Sequence, residues 1–518
     1  MAVSSTTTPT PGENNGHTQA DEDDTVGKQV VKGGSVAFVA LLLGRAITLI
    51  ANIILAQHLG AADYGVFLIA VSFSAIASMI ATLGIDRALV RFIPAHQVKR
   101  DGSRMAGDLT TGLVAVAGFG AVLALILFLL APELANSDLL DGDADRSTPV
   151  LRFFAIGVPL AAISVVGASF AQSMKRITIQ QSVLTSRLLI NLVVAVLALA
   201  LGWSLFGVAI GYLVGAGVAA LVGFGAIVRS YPTALHTKSR TFEPRRMFSF
   251  SVPLMAAGFI YILMGQIDIL MVGWLTTNDE VGVYGVAART SLLLVLILNA
   301  VIQIVAPMMS SLFASERLDE LAKLFRQSTH WILILSLPIV VVTLLHSGEI
   351  VGLFGGDFKA GSTALIILAL GQVVNFMTGP VQRLLEMTGR QFVVLSALVG
   401  VIVLDLIFNW FLIPRYGATG AASATALSVA LAFGALAVAT QWLFPERLYS
   451  WRSFLPVVFG AVAVGIGVAL QALLGDAVIL GRYLATAVAL VVFLGLVVLF
   501  AVSADDREMA KGLLRRGA

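Results

Sequence analysis

Three arginines and two aspartates, Arg45, Arg187, Arg289, Asp268 and Asp405, stand inside stretches of sequence otherwise apolar enough to cross a bilayer. Two kinds of chemistry suit these residue types. Guanidinium forks donate paired, charge-assisted hydrogen bonds to phosphates or acidic sugars, and a carboxylate in an apolar helix can carry a proton or pair with a cation. A charge at the bilayer centre costs roughly 2.5–3.5 kcal/mol even on lenient insertion scales, so each should face protein or a wet cavity rather than lipid. Neutral polar residues follow them at helical spacing. Asn52 lies seven residues after Arg45, Asn191 four after Arg187, Asn409 four after Asp405 and Gln303 fourteen after Arg289. Each interval puts both residues on one face of a helix. Gln266 beside Asp268, and Gln372 near Asn375, add further polar positions. The pattern predicts a water-filled cavity in which Arg holds an anionic group and Asn or Gln bonds to hydroxyls.

Each residue also has a purely structural alternative. Arg45 can belong to a buried ion pair, and Arg187, close to a span end, can extend its side chain to the interface. Asp268 and Arg289, at comparable depth on adjacent spans, can form a structural salt bridge. Asp405 can titrate a proton or pair with one of the arginines. The amides can be interhelical contacts worth roughly 0.6 kcal/mol each.

The elements that position these side chains follow from composition. With 58% hydrophobic residues, 12% charged residues and a mean hydropathy of +0.93, the chain fits a membrane protein and no soluble class. About twenty apolar residues cross roughly 30 Å of hydrocarbon, and fourteen such stretches are predicted: 34–57, 64–85, 110–132, 149–172, 182–202, 206–228, 248–274, 281–307, 329–348, 361–381, 392–413, 418–442, 454–474 and 480–503. Charge placement tests the count, because cytoplasmic loops carry the Lys and Arg. With the N-terminus inside, 25 of the 33 basic residues fall on the inner side, five outside and three within spans. Outer segments hold acids such as Glu133, Asp138, Asp141, Asp143 and Asp145. Both termini are therefore expected in the cytoplasm and the chain in the cytoplasmic membrane. Residues 1–32, polar with an acidic run at Asp21–Asp24, are expected to be a disordered tail. The segment Leu318–Phe325 is expected to be a separate amphipathic helix on the inner surface.

An internal repeat divides the chain. Leu59–Phe67, with Gly65, recurs as Leu275–Tyr284, with Gly282, at an offset of 217. Arg187 with Asn191 recurs as Asp405 with Asn409 at an offset of 218. Spans 1–6 (residues 33–230) thus correspond to spans 7–12 (231–446) in the same orientation, which implies a pseudo-two-fold along the membrane normal. Residues 447–518, with spans 13 and 14, have no counterpart. The predicted fold is an all-α polytopic membrane protein of about fourteen helices, two six-helix bundles plus two.

Asn409 to Thr425, with Gly417 and Gly420, resembles the eleventh-to-twelfth helix connection of polysaccharide and oligosaccharide flippases in the multidrug/oligosaccharidyl-lipid/polysaccharide exporter superfamily. Leu43-Gly-Arg45 followed by Leu59–Gly65, and Asp268–Gly273 leading into Gly282–Tyr284, are similar to that family too. The resemblance covers about residues 30–500. It implies translocation of a polyprenyl-phosphate-linked glycan by alternating access, with membrane lipids and glycan-assembly enzymes as partners. The competing expectation is a cation-coupled drug or organic-cation antiporter of the same superfamily, whose site would favour acids without competing arginines. A membrane glycosyltransferase would place carboxylates or His on a sizeable outer loop, and none is present, so an enzyme is not expected. No P-loop motif and no cysteine occur, which leaves an ion gradient, the membrane potential or consumption of product to drive any uphill transport. No cofactor is expected beyond a possible proton or sodium coupling ion, and the basic balance, being topological, implies no nucleic acid.

Overall fold

The computed structural model describes the backbone of residues 15–231, 240–474 and 479–501, with side chains from Gly44 onward except at residues 230, 257, 479 and 480. Among the described residues there are helices and turns and no strand, as apolar segments in lipid must satisfy their backbone polar groups internally. The first half comprises α1 (Asn15–Ala81), α2 (Ile85–Val98), α3 (Gly102–Asn136), α4 (Ala144–Ser173), α5 (Ile177–Ala200) and α6 (Ser204–Ser230). The second comprises α7 (Pro244–Leu275), α8 (Asn278–Ser291), α9 (Leu296–Ala314), α10 (Leu318–Leu345), α11 (Ser347–Gly352), α12 (Ser362–Thr378), α13 (Val381–Met387) and α14 (Gln391–Leu443). Two more helices follow, α15 (Trp451–Leu474) and α16 (Ile479–Leu496).

Among the described residues, twelve stretches are long and apolar enough to cross a membrane, and two of them are hairpins. Gly60 (φ 74°) interrupts α1, and the Tyr64 hydroxyl then reaches back to Asn52 Oδ1 at 2.9 Å. In a straight helix those residues would be about 18 Å apart. Gly417 (φ 53°) interrupts α14, and the chain folds back until Gly420 lies against the Leu412 carbonyl. Counting each hairpin as two gives the fourteen crossings expected, so the chain is a multi-pass membrane protein. The expected tail at 1–32 has residues 1–14 outside the described residues, and α1 begins at Asn15.

Three local details depart from expectation. The span expected over 281–307 is two helices, α8 and α9, joined by a tight turn at residues 292–295. Leu318–Phe325 is the first part of α10 rather than a separate surface helix. The basic loop after the second span contains α2, whose Ile85, Ala88, Leu89 and Ile93 are buried at helical spacing while Arg87 and Arg91 stay exposed.

The repeat glycines face each other's backbone. Gly65 sits against the Asn278 carbonyl, and Gly282 sits against the Ala61 carbonyl. Asn278 and Ala61 are themselves 217 residues apart, so the contact is reciprocal, as a two-fold relation between the halves requires. A Cβ at either glycine would clash with the facing carbonyl oxygen, and the backbone would have to shift. At the opposite end of the halves, Asp108 of α3 (2% exposed) lies 3.0 Å from His96 Nε2 of α2 and accepts from Arg246 of α7 at 3.1 Å. Asp108→Asn removes the charge that Arg246 faces and is expected to destabilise the protein by about 2 kcal/mol. A fall in the melting temperature of the purified protein measures it, and an unchanged melting temperature contradicts it.

Candidate functional site

All three membrane-embedded arginines line two adjoining cavities between the halves. The first, about 230 Å³, is lined by Arg45, Thr48 and Asn52 of α1, Gln266 of α7 and Arg289 of α8. The second, about 390 Å³, shares Thr48, Asn52 and Arg289 and adds Arg187 and Asn191 of α5 with Tyr212 of α6. Residues 45, 48 and 52 recur every turn along one face of α1, so a single helix edge carries both cavities. Among the described residues no acid lines either one.

Neutral partners orient the cations. Arg289 NH1 donates to Asn52 Oδ1, which also accepts from the Tyr64 hydroxyl at 2.9 Å. The second half is thereby tied to the first by a bond that leaves the guanidinium charge uncompensated. Arg187 NH2 donates to the Tyr212 hydroxyl at 3.1 Å, and its guanidinium carbon lies 5.3 Å from the centre of the Tyr212 ring. Tyr212 is fixed in turn by stacking on Phe154 and by a 2.6 Å bond shared with Ser74. Asn191 keeps a buried Oδ1 without a partner in the second cavity. Ser72 donates to Gln266 Oε1 at 2.7 Å, a second link between the halves. Arg45 is exposed at the mouth of the first cavity. Three guanidinium groups that face no carboxylate among the described residues thus surround this volume, an arrangement whose chemistry suits an anion, with amides and hydroxyls beside it.

The aspartates are elsewhere. Asp268 does not pair with Arg289; it accepts from Asn409 Nδ2 at 2.8 Å, from the Tyr284 hydroxyl at 2.7 Å and from Thr425 Oγ1 at 3.0 Å. Asn409 Nδ2 also donates to Asp405 at 3.1 Å, so one amide bridges two carboxylates that are 7% and 4% exposed. Asp405 Oδ1 and Asn409 Oδ1 are buried with no partner. The donor set is all oxygen apart from one amide nitrogen, which suits a proton or a hard monovalent cation. Among the described residues no trio of His, Asp or Glu is placed to hold a metal ion.

Of the remaining positions singled out, Gln372 and Asn375 bond to one another on α12 at 3.1 Å, and Gln303 is exposed on α9 beyond the 292–295 turn. None of the three lines either cavity. Thr48, Tyr64 and Tyr212 were not anticipated. Thr48 carried a usable signal, lying three residues after Arg45 and four before Asn52. The two tyrosines lie at no helical interval from a charge on their own span.

A family model described as polysaccharide biosynthesis protein matches residues 54–359. A probable low-salt glycan biosynthesis flippase of Haloferax volcanii is 31% identical over 183 residues, 35% of this chain and 38% of that protein. The chain thus spans well under half the length of that relative. A putative O-antigen transporter of Shigella flexneri is 24% identical over 75% of this chain and 91% of its own length. Among solved structures, the lipid II flippase MurJ in an inward closed conformation superposes with a TM-score of 0.70, covering 89% of this chain and 97% of that one at 14% identity. At that identity the likeness describes the fold.

Proposed function

The chain belongs to the polysaccharide biosynthesis protein family, and we propose that it moves a lipid-linked oligosaccharide or polysaccharide precursor across the cytoplasmic membrane. The observation that carries this reading is the convergence of Arg45, Arg187 and Arg289 on adjoining cavities with no acidic lining. The phosphate end of the carrier binds there, the glycan fills the polar space, and the carrier's hydrocarbon stays in lipid. Rocking of the two halves exposes the site first to the cytoplasm, where both termini lie and where assembly enzymes supply the substrate, and then to the outside. Names of the relatives support a glycan cargo. An organic-cation antiporter would need its carboxylates in the cavity, and here both lie in a separate cluster.

In the same reading, Asp268, Asp405 and Asn409 form the coupling site, loaded by a proton or sodium ion. Asp405→Asn should preserve the fold while making translocation in liposomes roughly 5–150-fold less responsive to an imposed ion gradient, the usual range of coupling between two sites. An unaltered gradient response contradicts the assignment. The function itself is tested by deleting the gene. Loss of surface glycan with lipid-linked precursor building up on the inner side supports it; unchanged surface glycan with no such build-up refutes it.

A further inference from the structure

Away from the arginine cavities, a third cavity of about 660 Å³ opens between the start of α5 and the end of α6. Lys175, Arg176 and Arg229 line it with the hydroxyl residues Thr178 and Ser182, and no acid does so among the described residues. It shares no residue with the two arginine cavities. The cavity also lies at the N-terminal, positive end of α5, which adds to the same charge.

The internal repeat explains why the space exists. Lys175 and Arg176 hold the same place before α5 as Gly389 and Arg390 hold before α14, at an offset of 214, one helical turn short of the 218 that relates Arg187 to Asp405. Lys175 and Gly389 are both left-handed (φ 58° and 78°), and the following arginine amides bond to Ala171 and Leu385 carbonyls at 2.9 and 2.8 Å. Both arginines occupy the N-cap position of the helix that follows. In the second half the counterpart is closed: Arg390 donates to the Leu443 carbonyl at 3.0 Å and lies 4.8 Å from the Phe444 ring centre. At the offset of 218, Leu443 and Phe444 correspond to Gly225 and Ala226. Small residues therefore leave open in the first half what large ones fill in the second. Arg229 corresponds to Arg447 and lines the opening. The first half also keeps a lysine at a left-handed position where the second has glycine, a backbone choice that costs free energy and concentrates charge at the cavity.

Leu189, seven residues after Ser182 on α5, and Leu221 and Phe224 on α6 are exposed on the walls leading to this cavity, and in a bilayer such a face meets acyl chains. Cations at the end of an apolar wall match a lipid headgroup with a hydrocarbon tail better than a soluble ion. We propose that this cavity seats the phosphate of an anionic membrane phospholipid, whose chains lie along the α5–α6 wall.

Native mass spectrometry of the purified full-length protein, titrated with phosphatidylglycerol and phosphatidylcholine, tests the assignment. One phosphatidylglycerol should be retained in preference to phosphatidylcholine. Arg229→Gln and Lys175→Gln should each weaken it roughly fivefold, whereas Arg390→Gln, at the closed counterpart, should not. Lys175→Gly removes the charge while suiting the left-handed backbone, so weaker lipid retention without loss of thermal stability separates charge from folding. Equal retention of both lipids, unchanged retention in the Lys175→Gln/Arg229→Gln double variant, equal loss in Arg390→Gln, or displacement by millimolar inorganic phosphate would each overturn the proposal.

Discussion

Arg289→Ala is expected to lower affinity for the lipid-linked glycan roughly thirtyfold or more, because truncating one charged partner of a desolvated contact typically costs about 2–5 kcal/mol. Arg289 belongs to both arginine cavities and is the one arginine the second half contributes to them. Its contact with Asn52 joins the halves, so the variant also removes an orienting bond, and abundance in the membrane must be measured beside export. Arg289→Lys keeps the charge without the planar fork and should fall between wild type and alanine. Lost export with normal abundance and partial rescue by lysine identifies an anion contact. Lost abundance in both variants would instead make Arg289 a structural tie.

Gly65→Val is expected to stop transport while leaving the protein folded. Gly65 lies against the Asn278 carbonyl and Gly282 against the Ala61 carbonyl, so both contacts join the two halves at one end. Overpacking ordinarily costs about 1–3 kcal/mol, and here the opposing atoms are backbone in helical ends that cannot rotate aside. The added side chain raises the free energy of the closed arrangement alone and shifts the population towards the arrangement in which these ends are apart. Gly282→Val should do the same by symmetry, and alanine at either position should have a smaller effect in the same direction. Pairs of spectroscopic labels across the two connections should report a longer distance in the valine variants. Full transport by Gly65→Val would show that the contact need not form during the cycle.

Much of the architecture was legible because lipid imposes length and polarity on every span, and Gly65 and Gly282, paired by the repeat, are the residues at which the ends meet in the structure. The site was legible at Arg45, Arg187 and Arg289, since a charge in hydrocarbon must find a polar environment. Its pairing was not. Asp268 and Arg289 share a depth, but depth says nothing about azimuth: Asp268 faces Asn409 and Thr425 of α14, while Arg289 faces Asn52 of α1. Gln303 falls out of line because the turn at 292–295 ends the helical register from Arg289. The amphipathic α2, at 14 residues, is too short to register as a span and too charged to stand out from its basic loop. Tyr64 and Tyr212 reach the arginines only through tertiary packing, which no spacing along one helix encodes.

The central claim is that the cavities recognise a phosphate-bearing anion. Equilibrium binding of a polyprenyl-pyrophosphate-linked glycan to the purified protein, against the same glycan on a neutral lipid and against an organic cation, tests it directly. Wild type should bind the pyrophosphate form preferentially, with affinity falling as salt rises, and the Arg45→Ala/Arg187→Ala/Arg289→Ala protein should lose that preference. Equal binding of the neutral form, or tighter binding of the cation with the triple variant unchanged, would contradict the account.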